Sequence, residues 1–186
     1  MASMEKRGLI RLGQPSEEIL VNAQGRRCQR FGFAGPPRRA GRWKVRFWDS
    51  SAIIPLCLKE PASEAVKNLA KTDEDIVVWW TTRVECISAL ARRYREGVLP
   101  INAEQKAKAL LTALAGEWSE VQPSELVRQR AERLLMVHSL RAADALQLAA
   151  ALLWTEGATG GAEFVCFDQN LREAALKEGF TVFPMS

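Results

Sequence analysis

An α/β fold, with helices covering both faces of a mostly parallel sheet, is predicted by three observations. Apolar runs of strand length recur from residue 45 onward, separated by segments of helical periodicity. Two of these runs, Val45-Arg-Phe-Trp48 and Phe164-Val-Cys-Phe167, end directly in a carboxylate, Asp49 and Asp168. Each of those carboxylates stands where a helix begins, and in open parallel sheets ligands bind in the crevice beyond the carboxyl ends of the strands.

The elements follow in order. After the strand at Val45, residues 51–58 open a helix that tolerates Pro55 only in its first turn or at a kink, and Pro61-Ala-Ser63 starts a second helix through Ala70. Residues 75–80 read as a buried strand. Thr81 or Thr82 caps a third helix to about Glu96, stopped by Gly97. Asn102-Ala-Glu-Gln105 has the spacing of a capping box for a fourth helix toward Trp118. A short strand is expected at Glu120-Val121, then a helix from Ser124 to about Val137. Ser139-Leu-Arg141 breaks the chain before an alanine- and leucine-rich helix over residues 142–155, buried on most faces. The glycine-rich loop 157–161 leads to the strand 163–167, the last helix, a stop at Gly179 and a closing strand at 180–183.

Composition narrows the class. At 186 residues, 47% hydrophobic and 26% charged, the chain suits one soluble globular domain with an appendage. No apolar run reaches the roughly 20 residues that span a bilayer, and the first 44 residues hold no continuous hydrophobic segment of the secretory kind, so a cytoplasmic protein without membrane contact is expected. The four cysteines include no C-x-x-C pair, which suits a reducing compartment. With His138 the only histidine, a Cys/His zinc site is disfavoured, leaving a hard cation held by oxygen as the metal to expect.

The net charge of +4 is unevenly placed: residues 1–44 hold ten Lys/Arg against three Glu, a surplus of +7, so the remainder carries −3. Residues 1–43, rich in Pro, Gly and Arg with little periodicity, read as a disordered segment or an upstream extension, and residues 44–186 as the folded domain.

Two further acids join Asp49 and Asp168. Glu85 lies one turn into the helix after the second strand, and Asp144 lies near the start of the alanine-rich helix, both in largely apolar surroundings. Each has a plain structural reading: Asp49 and Asp168 as helix N-caps, Glu85 as the far end of a Thr82-Arg-Val-Glu85 capping box, Asp144 as a partner of Arg141. Taken together they point elsewhere. Two carboxylates about 4 Å apart repel by roughly 4 kcal/mol at an effective dielectric near 20, so four in one place call for a cation. Oxygen ligation without histidine suits Mg²⁺ or Mn²⁺, whose natural substrate is a phosphodiester.

From Val45 to Ser186 the chain resembles the PIN domain, and most closely the VapC-type toxins of bacterial toxin–antitoxin pairs. The resemblance is carried, in order, by Phe-Trp-Asp49-Ser-Ser51-Ala, Arg83-Val-Glu85, Leu140-Arg-Ala-Ala-Asp144-Ala-Leu-Gln-Leu-Ala149 and Val-Cys-Phe-Asp168-Gln-Asn-Leu171. It implies a PIN-like three-layer α/β/α sandwich around a mostly parallel sheet of four to five strands. It also implies a Mg²⁺- or Mn²⁺-dependent endoribonuclease, homodimeric and held inactive by a VapB-like antitoxin, with Asp49, Glu85, Asp144 and Asp168 binding the metal. The chain departs from the family in having Cys166 where a hydroxyl residue is frequent and Gln147 where histidine is common.

On that reading Asp49 and Asp144 form the inner metal shell and Glu85 and Asp168 complete it directly or through water. Ser51 hydrogen-bonds Asp49 or the attacking water, or else caps the helix. Arg83 and Arg141 contact RNA phosphate, or else pair with Glu85 and Asp144. The rivals are a non-catalytic scaffold of the same fold that binds RNA or a protein, and an RNA-processing or structure-specific nuclease. A haloacid-dehalogenase-like phosphatase is disfavoured because Ser51 stands where a second Asp is required. A receiver domain lacks its acidic pair and late lysine. Of Trp79 and Trp80, which straddle a strand end, one belongs in the core and the other at a groove or interface.

Overall fold

The computed structural model of the chain describes residues 20–22, 45–73 and 75–185. Its elements are β1 (Leu20–Asn22), β2 (Val45–Trp48), α1 (Ser50–Cys57), α2 (Ser63–Lys71), β3 (Asp75–Trp79), α3 (Thr82–Arg95), α4 (Ile101–Ala115), β4 (Ser119–Val121), α5 (Glu125–Val137), α6 (Ala142–Trp154), β5 (Glu163–Val165), α7 (Gln169–Lys177) and β6 (Thr181–Phe183). The strands lie side by side in the order β1-β4-β3-β2-β5-β6. The five from β2 to β6 are parallel, as the alternating pattern predicts. β1 is antiparallel to β4, with Leu20 opposite Val121. This edge strand comes from within the basic N-terminal segment, where the sequence pattern announces none; the rest of residues 1–43 lies outside the described residues.

The order of strands sets where a ligand can sit. From β2 the chain builds outward through β3 and β4, then crosses back to lay β5 on the other side of β2 and β6 beyond it. The reversal falls between β2 and β5, and a crevice opens at the carboxyl ends of two such diverging strands.

Both faces of the sheet are covered, which explains why the strands read as unbroken apolar runs. Trp48, Val78 and Val165 pack under α1 to α4, while Phe47, Val77 and Phe164 pack under α5, α6 and α7. Phe47 stacks on Phe164 at 5.4 Å between ring centroids, and Trp154 and Phe180 close the cluster. Residues 147–154 of α6 are all buried, and the small alanines among them let the helix lie close against the sheet.

Local details correct two expectations. The predicted capping box at Asn102 does not form: α4 starts at Ile101 after an extended Pro100, and Glu104 is buried in an ion pair with Lys108. Pro55 sits in the second turn of α1, and the helix continues only two residues past it. The expected stops hold, with Gly97 at φ +72° and Gly179 at φ +96°. At Gly179 a Cβ would also stand 2.5 Å from the Thr159 hydroxyl oxygen.

At the amino end of the sheet lies a buried ionic cluster. Arg46 donates through Nε to Glu163 and through Nη1 to Asp73 Oδ1 at 2.6 Å, to the Thr72 hydroxyl and to the Leu69 carbonyl. The Trp48 indole N–H donates to the other Asp73 oxygen at 2.7 Å. Burial pushes the Asp73 carboxyl up to about 7, against the pull of the Arg46 charge and these hydrogen bonds.

Candidate active site

Asp49 leaves the end of β2 with its N–H bonded to the Val165 carbonyl of β5, so it sits at the reversal between the two strands. Its backbone is extended and its carboxylate accepts the Ser51 N–H at 2.9 Å, the geometry of an N-cap for α1. Only 4% of the residue is exposed. Burial pushes its carboxyl up from 3.8 to about 6, with Ser51 hydrogen bonding opposing the shift and the Glu85 charge adding to it. Cys166 Sγ lies 3.7 Å from Asp49 Oδ2 and from Ser51 Oγ. The Ser51 hydroxyl accepts the Phe167 N–H at 2.9 Å, which stitches the end of β5 to α1.

Asp168 follows β5 and caps α7, accepting the Leu171 N–H at 2.9 Å, with its side chain exposed. Arg172, which no sequence motif singles out, fixes this corner by donating to the carbonyls of Cys166, Phe183 and Pro184. Both N-cap readings are therefore real, and neither removes the negative charge from the edge of the sheet.

Glu85 occupies the first turn of α3, which follows β3, the other neighbour of β2. The capping box expected for it is absent, because Thr81 rather than Thr82 holds the cap position and makes no side-chain cap bond. Instead Glu85 Oε1 accepts the Thr81 hydroxyl and Oε2 accepts the Gln147 amide at 3.0 Å. Asp144, in the first turn of α6, accepts the Arg141 N–H at 3.3 Å. Among the described residues neither Arg141 nor Arg83 forms an ion pair, and both are exposed.

Electrostatics link the four acids. Asp49 feels the charge of Glu85, and Asp144, raised first by burial, feels Asp168 and then Glu85, partly offset by Arg141. Among the described residues none of the four forms an ion pair with a lysine or arginine. Nor, among those residues, do any three His, Cys, Asp or Glu side chains gather closely enough to enclose a metal ion. The arrangement is an open acidic edge of hard oxygen donors that no ion pair among the described residues neutralises. By donor chemistry it fits a hydrated divalent cation that keeps several waters and takes only one or two carboxylates directly.

Trp79 is buried and Trp80 is 49% exposed beside this edge, dividing as expected. No helix among the described residues is long and apolar enough to cross a membrane.

Comparison with known proteins bears on the fold. Among curated proteins none matches the chain. Similar solved structures include PAE2754 from Pyrobaculum aerophilum, at 18% identity and a TM-score of 0.50 over 75% of this chain and 85% of that one. VapBC2 from Rickettsia felis, solved bound to a DNA fragment from their promoter, shows 12% identity and a TM-score of 0.50 over 74% of this chain and 96% of that one. FitAcB from Neisseria gonorrhoeae shows 16% identity and a TM-score of 0.51 over 75% and 96%. The family model described as the PIN domain matches residues 46–177, a span that runs from within β2 to the end of α7 and includes all four acids. With that match across most of its length, the chain belongs to the PIN domain family.

Proposed function

We propose that the protein is a Mg²⁺- or Mn²⁺-dependent endoribonuclease, the toxin of a type II toxin–antitoxin pair, acting in the cytoplasm as a homodimer restrained by a VapB-like antitoxin. One observation carries the nuclease reading: Asp49 and Asp168 cap α1 and α7 after β2 and β5, where the strand order reverses, Glu85 and Asp144 lie in the first turns of α3 and α6, and among the described residues no lysine or arginine is ion-paired to any of the four. Membership of the PIN family and the likeness in fold to VapBC2 and FitAcB support the rest.

Asp49 and Asp144 would hold the metal directly, with Glu85 and Asp168 in contact or through water. When bound, such an ion acidifies a water and screens the charge that develops on the phosphate. The protein's own residues do the remainder. Asp49, with its carboxyl near 6, is ionised at neutral pH and is held in place by the Ser51 N–H. The exposed Arg83 and Arg141 bind phosphate oxygens at the rim, and Ser51, held by the Phe167 N–H, keeps the β5 end against Asp49.

Thermal melting in Mn²⁺ against EDTA tests the cation site. An ion at a hundred times its Kd adds about 2.7 kcal/mol to the native state. An unchanged midpoint, together with no cleavage of RNA, would favour the scaffold reading, which the absence of a closed ligand shell among the described residues supports. Growth arrest on expression, reversed by a neighbouring gene product, separates a toxin from a processing nuclease.

A further inference from the structure

We propose, on the reading of the four acids as a cation site, that Gln147 and Thr81 are positioning residues that hold Glu85 as a preset arm of that site, governing its affinity for the ion without touching it. Each Glu85 oxygen receives one neutral donor, the Thr81 hydroxyl on Oε1 and the Gln147 amide on Oε2 at 3.0 Å. The same amide nitrogen donates to the Thr82 hydroxyl at 3.1 Å. A carboxylate only accepts hydrogen bonds, so Gln147 must turn its nitrogen toward Glu85, and that choice fixes its rotation.

The consequence is a buried orphan. Gln147 is 1% exposed, and its Oε1 has no hydrogen-bond partner. Buried amides ordinarily satisfy both ends. This one leaves its oxygen unmet while presenting two N–H bonds toward α3, one of them to an anion.

Two features make the clamp suited to a cation site rather than to packing alone. Gln147 stands three residues after Asp144 on α6, on the same side of the helix, so Glu85 is set in relation to the helix that carries a second acid. Both donors are neutral, so the Glu85 charge that repels Asp49 and Asp144 remains available to an incoming ion. An arginine in the place of Gln147 would cancel it.

The test is direct titration of the full chain with Mn²⁺, read by the electron paramagnetic resonance of the free ion. Gln147→Leu, Thr81→Val and Thr81→Ser are compared with the unaltered protein, and each unfolding midpoint is measured in EDTA. Loss of a group that orients a metal ligand weakens affinity by about 10- to 100-fold. That loss is expected in Gln147→Leu and Thr81→Val, with Thr81→Ser, which keeps the hydroxyl, restored to the unaltered value. Thr81 is only half-buried and valine matches its shape, so this variant carries the test even if Gln147→Leu fails to fold. If both donors can be removed with Mn²⁺ affinity unchanged, the clamp is overturned and the cation site stands. If the unaltered protein binds no Mn²⁺, the cation-site reading falls and takes the clamp with it.

Discussion

The two ends of the sheet bury carboxylates by opposite means. At the amino end Asp73 and Glu163 share Arg46, which donates to both and is itself only 4% exposed. At the carboxyl end Asp49 is equally buried, yet among the described residues no lysine or arginine pairs with it, and its donors are uncharged, the Ser51 N–H among them. Burial raises the carboxyl of Asp49 and of Asp73 alike, so both ends face the same desolvation. One end carries its counter-ion in the sequence. On the proposed reading the other leaves the position to a cation from solution, which is how a stabilising device and a binding device differ when built from the same residue types.

The contrast is broken most severely at the carboxyl end. Asp49→Asn keeps an N-cap residue but removes the proposed inner ligand. Metal-ion stabilisation of a phosphoryl transition state is worth several kcal/mol, so RNA cleavage in Mn²⁺ should fall by at least about a thousandfold. Full activity in this variant would refute the assignment. At the amino end, Arg46→Met strands two buried acids and should destabilise the fold by about 3–5 kcal/mol in urea titrations, with part of the loss recovered at lower pH as Asp73 protonates.

A smaller effect separates the ends by pH. The folded Asp49 carboxyl is raised from 3.8 to about 6, so the native state holds a proton that the unfolded chain has released. Its contribution is greatest below about 4 and is lost as pH rises through about 6, amounting to at most about 3 kcal/mol. Stability measured in EDTA should fall across that window, and Asp49→Asn should remove this part of the slope while raising stability at pH 7.5. Of the slope that remains, the part extending toward pH 7 belongs to Asp73, and Asp144, also raised by burial, adds to it. Added Mn²⁺ should reverse the Asp49 part, since the ion binds the deprotonated carboxylate.

The least change is expected at the rim. Arg83→Ala or Arg141→Ala should leave stability within about 0.5 kcal/mol and lower the salt dependence of RNA binding by about 0.7 in log–log slope for each phosphate no longer neutralised. An unchanged salt slope would remove that arginine from the substrate path.

Strands followed by acids were legible because both signals are local: an apolar run, then a carboxylate where a helix opens. The parallel order followed from alternation. What the sequence did not disclose depends on partners far along the chain. Arg46 sits in an apolar strand with nothing nearby to mark it as an ion-pair centre, since Glu163 lies 117 residues away. Gln147 meets Glu85 across 62 residues and stands out in the sequence only as a departure from the family. The Asn102 signal misled because Pro100, two residues earlier, is itself a suitable place for the chain to enter a helix. β1 is three residues long and is defined by pairing with β4, some hundred residues later, rather than by any pattern of its own.

The placement of β5 beside β2 also bears on synthesis. Asp49 emerges from the ribosome well before the strand that fixes its backbone and the corner bearing Asp168. A nascent chain thus lacks a complete acidic edge until β5 and the start of α7 have followed β2, so on the proposed ribonuclease reading cleavage must wait for those later elements.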